Sequence, residues 1–367
     1  MAPYNPELPY YIAFSRFGQI GPERIGRLLH YFTSLQVAWN ASAGELVKAG
    51  IDQKISWELV EGRKTIDPEK ELGLLEREGV SAILCNDPEY PQYLSEIYQP
   101  PYVLYYRGTW PPRGLVGFGV VGTRNITPYG RSVTPGIVRD LARAGFVIVS
   151  GLALGVDALA HQSALEVGGN TIAVLGTGVD RWSVYPSSNR TLADRIIESG
   201  GLVLSEYPIG TEPLKHHFPA RNRIISGLSV GVLVIEADEK SGALITARCA
   251  LEQNRDVFAV PGPIGNPMSR GPHSLLKQGA KLVTGAEDII ESYEFMHTEE
   301  TNQGSGASCE NSTQQMIYEH LSHEPLYIDE IALRCQLDTA TANSTLLIME
   351  MKGLVKNSGS MCYIKVS

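Results

Sequence analysis

From Leu115 onward the chain alternates short apolar runs with helix-like stretches of about 12–25 residues, and glycine-rich turns separate the two. The runs are LVGFGVV, FVIVS, TIAVL, LVLS, VGVLVI, DVFAV and KLV, and two more, SAILC and YVLYY, precede them. They are continuous rather than alternating, as befits strands buried on both faces. Each joining stretch is long enough for the crossover helix that a parallel pair needs. This alternation admits one main architecture, a doubly wound, mostly parallel α/β sheet with helices on both faces. We place it at residues 75–296.

The flanks read differently. Residues 1–74 have a helical pattern of the helix-hairpin-helix kind, expected as a small separate domain. FGQIGPERIGRLLHYF sets Gly21-Pro22 ahead of a helix with Ile25, Leu28, Leu29 and Phe32 on one face. In SAGELVKAGI, Ser42 suits an N-cap and Gly50 a C-cap. Such helix pairs either touch DNA backbones or simply pack. Residues 297–312, HTEETNQGSGASCENS, have the polar, Gly/Ser-rich composition of a flexible linker. Residues 313–367 hold three short helices and a β-hairpin, the layout of a winged helix-turn-helix. The third helix, around Thr339–Lys352, has no arginine and one lysine, whereas a DNA-reading helix carries several polar or basic side chains. A protein contact and weak DNA binding both stay open for it.

The chain has 31 basic and 40 acidic residues, a net charge of −9, which argues mildly against nucleic acid. A polyanion site needs only a local basic patch, however. No apolar run reaches the roughly 18 residues of a membrane helix. The opening MAPYNPELPYYIAFSRFG lacks a basic leader with a long apolar segment. Five scattered cysteines without a CxxC pair read as reduced thiols, not as a disulfide framework or zinc site. A cytoplasmic protein without membrane contact is expected.

KHHFPARNRIISGLS, residues 215–229, gathers the basic patch. Its spacing predicts Phe218 extended before Pro219 and a helix from about Pro219, with Arg221, Ile224, Ile225 and Leu228 in one stripe. Asn222 and Arg223 then point to other sides of the first turn. Cations there oppose the helix dipole by roughly 0.3–1 kcal/mol each, and a bound phosphate reverses that sign. Gly/Ser/Thr turns follow the strands at Gly122-Thr123-Arg124, Ser150-Gly151, GTGVDRWSVYP, Lys240-Ser241-Gly242 and PGPIG. Turns at one sheet edge converge, and helix N-termini there offer free N–H groups to an anion. Tight strand–helix connection explains any one of these turns. The whole set beside Arg124 and the basic stretch favours an anion. Phe218 either offers its face to an unpaired base or packs in the core.

Two weaker motifs are set aside. Gly117, Gly119 and Gly122 fit GxGxxG, but two of them lie inside the apolar run and no acid ends the next strand, so no dinucleotide is expected. Asp157, Asp180, Glu206, Glu236 and Asp238 lie near the turns, where caps and loop hydrogen bonds explain them as well as acid–base chemistry does. His161 follows Asp157 by one helical turn, a structural pairing.

In this order, VVGTRNITPYG, VIVSGLALGVDALAHQSAL, TIAVLGTGVDRWSVYPSSN, GLVLSEYP, FPARNRIISGLS, VLVIEADEKSGALITARCAL and DVFAVPGPI resemble the DNA-processing family called DprA or Smf. The resemblance implies a Rossmann-like domain that binds single-stranded DNA, protects incoming DNA in natural transformation and loads the RecA recombinase onto it. It also implies a homodimer with no cofactor and no catalytic activity. Carried over by motif, the DNA contacts are Gly122-Thr123-Arg124, Lys215, Phe218 and Arg221-Asn222-Arg223, the arginine pair being partly structural. Ser150-Gly151 and Lys240-Ser241-Gly242 complete the candidate site. His273 stands where the family has asparagine, and Gln253-Asn254 replaces Glu-Gly before Arg255. The alternative is a Rossmann-like protein that binds or hydrolyses nucleotides; such relatives carry PGGxGT where this chain has PGPIG. A transcriptional regulator led by the winged helix is a third reading, which the cation-poor third helix disfavours.

Overall fold

The structure is a computed structural model and describes residues 5–111, 114–293, 312–322, 326–351, 354–359 and 361–365. The linker expected over 297–312 lies outside these except for Ser312, and so does Lys352. The chain forms two compact units, Met1–Ser292 and Tyr293–Ser367.

In the first unit each of the nine apolar runs becomes a strand. They are β1 Ser81–Leu84, β2 Val103–Gly108, β3 Gly117–Val121, β4 Val147–Ser150, β5 Thr171–Leu175, β6 Leu202–Ser205, β7 Gly231–Val234, β8 Asp256–Ala259 and β9 Lys281–Leu282. One sheet holds them in the order β1-β2-β6-β5-β4-β3-β7-β8-β9. The strands from β3 to β9 run parallel. At one edge β2 joins β6 antiparallel, and β1 joins β2 the same way. From β3 the chain builds outward through β4, β5 and β6, then returns to place β7 on the other side of β3. The switch point therefore lies between β3 and β7, and a crevice opens there at the carboxyl ends of the strands.

Ahead of the sheet come helices α1 Leu8–Ser15, α2 Pro22–Tyr31, α3 Leu35–Asn40, α4 Ala43–Lys48, α5 Gln53–Gly62 and α6 Pro68–Arg77. Helix α7, Gln92–Ser95, joins β1 to β2. The crossovers are α8 Pro128–Arg143, α9 Val156–Glu166, α10 Arg190–Glu198, α11 His217–Gly227, α12 Ala243–Glu252 and α13 Arg270–Lys277, and α14, Glu287–Ile290, follows β9. Successive side chains leave a strand on opposite faces. On β5, Ile172 and Val174 accordingly pack with Ile224 and Ile225 of α11, while Ala173 and Leu175 pack with Leu192 and Ile196 of α10. The second of these clusters also takes in Ile12, Phe14, Leu28, Leu35 and Leu46 from the N-terminal helices. Ser15 Oγ lies 2.6 Å from the hydroxyl of buried Tyr105, and Arg16 donates to the Ile209 carbonyl at 2.7 Å. Ser42 closes a capping box with Glu45, and Gly50 turns the chain at φ 87°. Leu29 departs from its expected stripe and is exposed, while Ile25 and Leu28 are buried and Phe32 packs against the same cluster.

Gly117 and Gly119 serve packing inside β3. A Cβ on Gly117 would stand 2.1 Å from the Leu228 carbonyl oxygen, so α11 and β3 close against each other only through glycine.

The second unit contains α15 Ser312–His320, β10 Leu326–Tyr327, α16 Ile328–Arg334, α17 Thr339–Met351, β11 Val355–Gly359 and β12 Cys362–Lys365. Its sheet runs β10-β12-β11, and Ile317, Ile331, Leu346, Met349 and Tyr363 form its core. Three helices with a small antiparallel wing make it a winged-helix domain.

Candidate nucleic-acid interface

A cavity of about 720 Å³ occupies the switch point. One wall is the turn after β3. The Thr123 N–H donates to the Glu236 carbonyl at 2.7 Å, which ties this turn to the one after β7. Thr127 caps α8 by accepting from the Gly130 N–H, and its own N–H donates to the Glu236 carboxylate at 2.9 Å. The turn after β4 packs in from the side. Gly155 holds φ 78°, and a Cβ there would lie 2.2 Å from the Thr123 carbonyl oxygen. With its base fixed on three sides, the turn leaves Arg124 exposed at the rim, its guanidinium carbon 5.7 Å from the Phe218 ring centre.

The opposite wall is the start of α11. The helix begins at His217, two residues before the expected Pro219, so Phe218 is helical rather than extended. A proline in the first turn forfeits no intrahelical hydrogen bond, because N–H groups there have no helical acceptor. Half-buried Phe218 lines the cavity, with the Arg124 guanidinium and the Tyr185 ring each 5.7 Å from its ring centre. Lys215, just before the helix, and Lys240-Ser241-Gly242, just before α12, complete the rim.

The arginine pair divides. Arg221 is 5% exposed and reaches under the cavity floor. Its guanidinium donates to the Gly151 carbonyl at 2.6 Å and to the Val174 carbonyl, and its Nε donates to Asn222 Oδ1 at 3.1 Å. Burial lowers its pKa to about 10, while nearby Asp157 works in the opposite direction. Asp157 accepts from the Gly151 and Ala153 N–H groups, and burial raises its carboxyl against the pull of Arg221. Arg223, two positions on, is not among the residues lining the cavity, and its Nη2 donates to both carboxylate oxygens of Glu206 at 2.6 Å each. Asn222 lines the cavity and donates to the Gly242 carbonyl at 3.2 Å.

Of the candidate residues, Gly122, Arg124, Lys215, Phe218, Arg221, Asn222, Lys240, Ser241 and Gly242 therefore come together. Thr123, Ser150 and Gly151 sit behind the wall. The Ser150 hydroxyl donates to the Val120 carbonyl at 2.6 Å, and Gly151 is pressed so closely by Arg221 that a Cβ would stand 2.3 Å from the guanidinium. Arg223 belongs to the far side of α11. Tyr185, Pro213 and Thr246 line the cavity without having been singled out, and the aromatic-rich loop GTGVDRWSVYP was the signal for the first of them.

The neighbouring acids are engaged in the fold. Asp180 accepts from the Ser183 and Gly210 N–H groups, and Asp238 from that of Lys240. The two departures have plain roles. His273 meets the Gly262 carbonyl at 3.0 Å. Asn254 holds φ 56°, a left-handed conformation that asparagine tolerates better than other side chains do, where glycine was expected. Among the described residues no group of histidines, cysteines and acids is placed to hold a metal ion, and no helix is long and apolar enough to cross a membrane.

Comparison with known proteins bears on the same region. The family model for DNA recombination-mediator protein A matches residues 81–294, and that for the DprA winged helix domain matches residues 305–359. Protein Smf of Synechocystis is 36% identical over 398 residues, spanning 98% of this chain and 99% of the relative. The crystal structure of DNA processing protein A from Streptococcus pneumoniae superposes with a TM-score of 0.66 at 39% identity, covering 77% of this chain and 97% of that one. DNA processing protein A from Helicobacter pylori, whose structure is described by its single-stranded DNA binding mode, gives 0.52 at 33% identity, covering 59% and 96%. The chain belongs to the DNA recombination-mediator protein A family, also called DprA or Smf.

Proposed function

We propose that this protein binds single-stranded DNA in the switch-point cavity and acts as a recombination mediator. The observation that carries the reading is the convergence of Arg124, Lys215 and Lys240, from three separate segments, on the cavity that Phe218 lines. Arg221 and Arg223 are engaged within the fold, which leaves these three as the cavity's cations presented to a ligand. Phosphates supply the opposite charge, and Phe218 stacks an unpaired base that a duplex does not offer. Neutralising three phosphates of a single strand gives a slope of log K against log salt of about −2. Removing two of the cations, in Arg124→Ala with Lys215→Ala, should flatten that slope by about 1.4 and weaken binding. An unchanged slope and affinity in the double variant would refute the site. Calorimetry with a mononucleotide beside oligo-dT tests the nucleotide-binding alternative, which tight, length-independent binding would favour.

Family membership supports the wider reading. The protein works in the cytoplasm as a homodimer without cofactor, protects incoming strands in natural transformation and loads RecA onto them. It acts as a binding protein rather than an enzyme, consistent with crevice acids that hold backbone N–H groups. The test is the rate of RecA filament formation on DNA coated with a single-strand-binding protein. No acceleration by this protein would sink the loading role.

A further inference from the structure

Beyond the cavity, the loop between β5 and α10 carries Trp182, 71% exposed. Burying an indole is strongly favourable, so a tryptophan held in water on an ordered loop stands ready for a contact. The loop is anchored at several points. Asp180 accepts from the Ser183 N–H and hydroxyl and from the Gly210 N–H, and Arg190 donates to the Trp182 carbonyl. Two guanidinium groups lie close to the indole, Arg181 at 5.8 Å and Arg190 at 5.5 Å from the ring centre. Asp194 holds Arg181 in place with a 2.9 Å hydrogen bond. Three residues further along the same loop, Tyr185 enters the cavity beside Phe218. Three residues span at most about 11 Å of backbone, so the Trp182 backbone lies within that distance of a residue that lines the cavity.

We propose that Trp182 is an outer stacking platform for single-stranded DNA leaving the cavity, with Arg181 and Arg190 placed to meet the phosphates beside the stacked base. This rests on the single-strand reading of the cavity and extends its path along Phe218, Tyr185 and Trp182. Continuity with the cavity and the two cations select nucleic acid over an apolar protein partner. Burying the indole in a protein interface would strip water from both guanidinium groups, and Asp194, which pairs with Arg181, is already shared with Arg107. A strand instead brings a negative charge for each nucleotide and a flat face for each base.

The full chain is titrated with oligo-dT of about 5 and about 20 nucleotides, at the short end of the span of one such groove and beyond its long end. Trp182→Ala should weaken the longer oligonucleotide about 5- to 150-fold, with a much smaller deficit on the shorter one. Trp182→Phe should restore most of the loss, and DNA-dependent quenching of the tryptophan emission should shrink in both variants. If Trp182→Ala binds both lengths like the parent while Phe218→Ala and Arg124→Ala do not, the platform is refuted and the cavity stands. If all three variants bind like the parent, the cavity reading has failed as well. Intact DNA affinity with impaired recombinase loading would make Trp182 a protein contact, which also overturns the proposal.

Discussion

Arg221 and Arg223 sit two positions apart on α11, about 200° around a helix of 3.6 residues per turn, and so meet opposite surroundings. The stripe of Arg221, Ile224, Ile225 and Leu228 was legible from spacing, and all four are buried. Its partners were not legible: the carbonyls of Gly151 and Val174 are brought to it by strands far away in sequence, and Glu206 reaches Arg223 in the same way. Replacing Arg221 with methionine strips two buried carbonyls of their donor and leaves Asp157 without its nearest cation. We expect Arg221→Met to lose about 3–5 kcal/mol in urea unfolding while the salt slope of DNA binding stays at the parent value. A flattened slope with unchanged stability would make Arg221 a phosphate ligand. Phe218→Ala should do the reverse, losing about 1–3 kcal/mol of binding with the salt slope and the urea midpoint nearly unchanged. A lowered midpoint with intact binding would make it a core residue.

His161 gives a prediction in pH. The Thr171 hydroxyl donates to the Ile148 carbonyl, so it accepts from His161 Nδ1, and Nε2 is left buried without a partner. Burial pushes this imidazole down to about 3, and Arg221 adds to the shift. The folded form resists a proton that the unfolded chain takes up near 6.5, so the stability is complete above that value and is lost as pH falls towards 3. The slope approaches about 1.4 kcal/mol per pH unit. Urea midpoints of the parent and His161→Gln between pH 7 and 4 should converge as the pH falls, because only the parent carries this titration. Parallel curves would mean that the imidazole is hydrated in the folded state.

At the scale of elements, the strands were legible because a run buried on both faces has to be continuously apolar. Their order was not, since the return from β6 to β7 depends on which edge of β3 is free, and composition does not encode that. The start of α11 was misread for a related reason. The bias of a residue before proline is local, whereas Phe218 and His217 are fixed by distant partners, Tyr185 and Tyr207. Glu236 shows how elements hold the site. Its carbonyl accepts from Thr123 and its carboxylate from the Thr127 N–H and hydroxyl, so one residue after β7 braces the whole turn that presents Arg124. Glu236→Ala removes hydrogen bonds to a charged group worth about 1.5–3 kcal/mol. We expect a stability loss of that size together with weaker DNA binding, since Arg124 loses its fixed position. Loss of stability with full affinity would show that the turn holds its shape without the brace.

For the whole molecule, on the proposed reading an acidic chain meets a polyanion through a local cationic rim, and every residue of that rim lies within Met1–Ser292. This unit has its own apolar clusters on both faces of the sheet, and the winged-helix unit has a separate core of its own. Helix α17 contributes no lysine or arginine over Thr339–Met351, and Leu347 and Ile348 on it are exposed. A cation-poor, apolar helix face adds little to phosphate binding, which scales with the number of charges neutralised. A chain ending at Ser292 should therefore fold cooperatively and bind oligo-dT within about 0.5 kcal/mol of the full protein, as independent sites do, with the same salt slope. If that shortened chain folds but loses affinity or slope, cations of the winged-helix unit reach the strand, and the path of the DNA extends beyond the sheet.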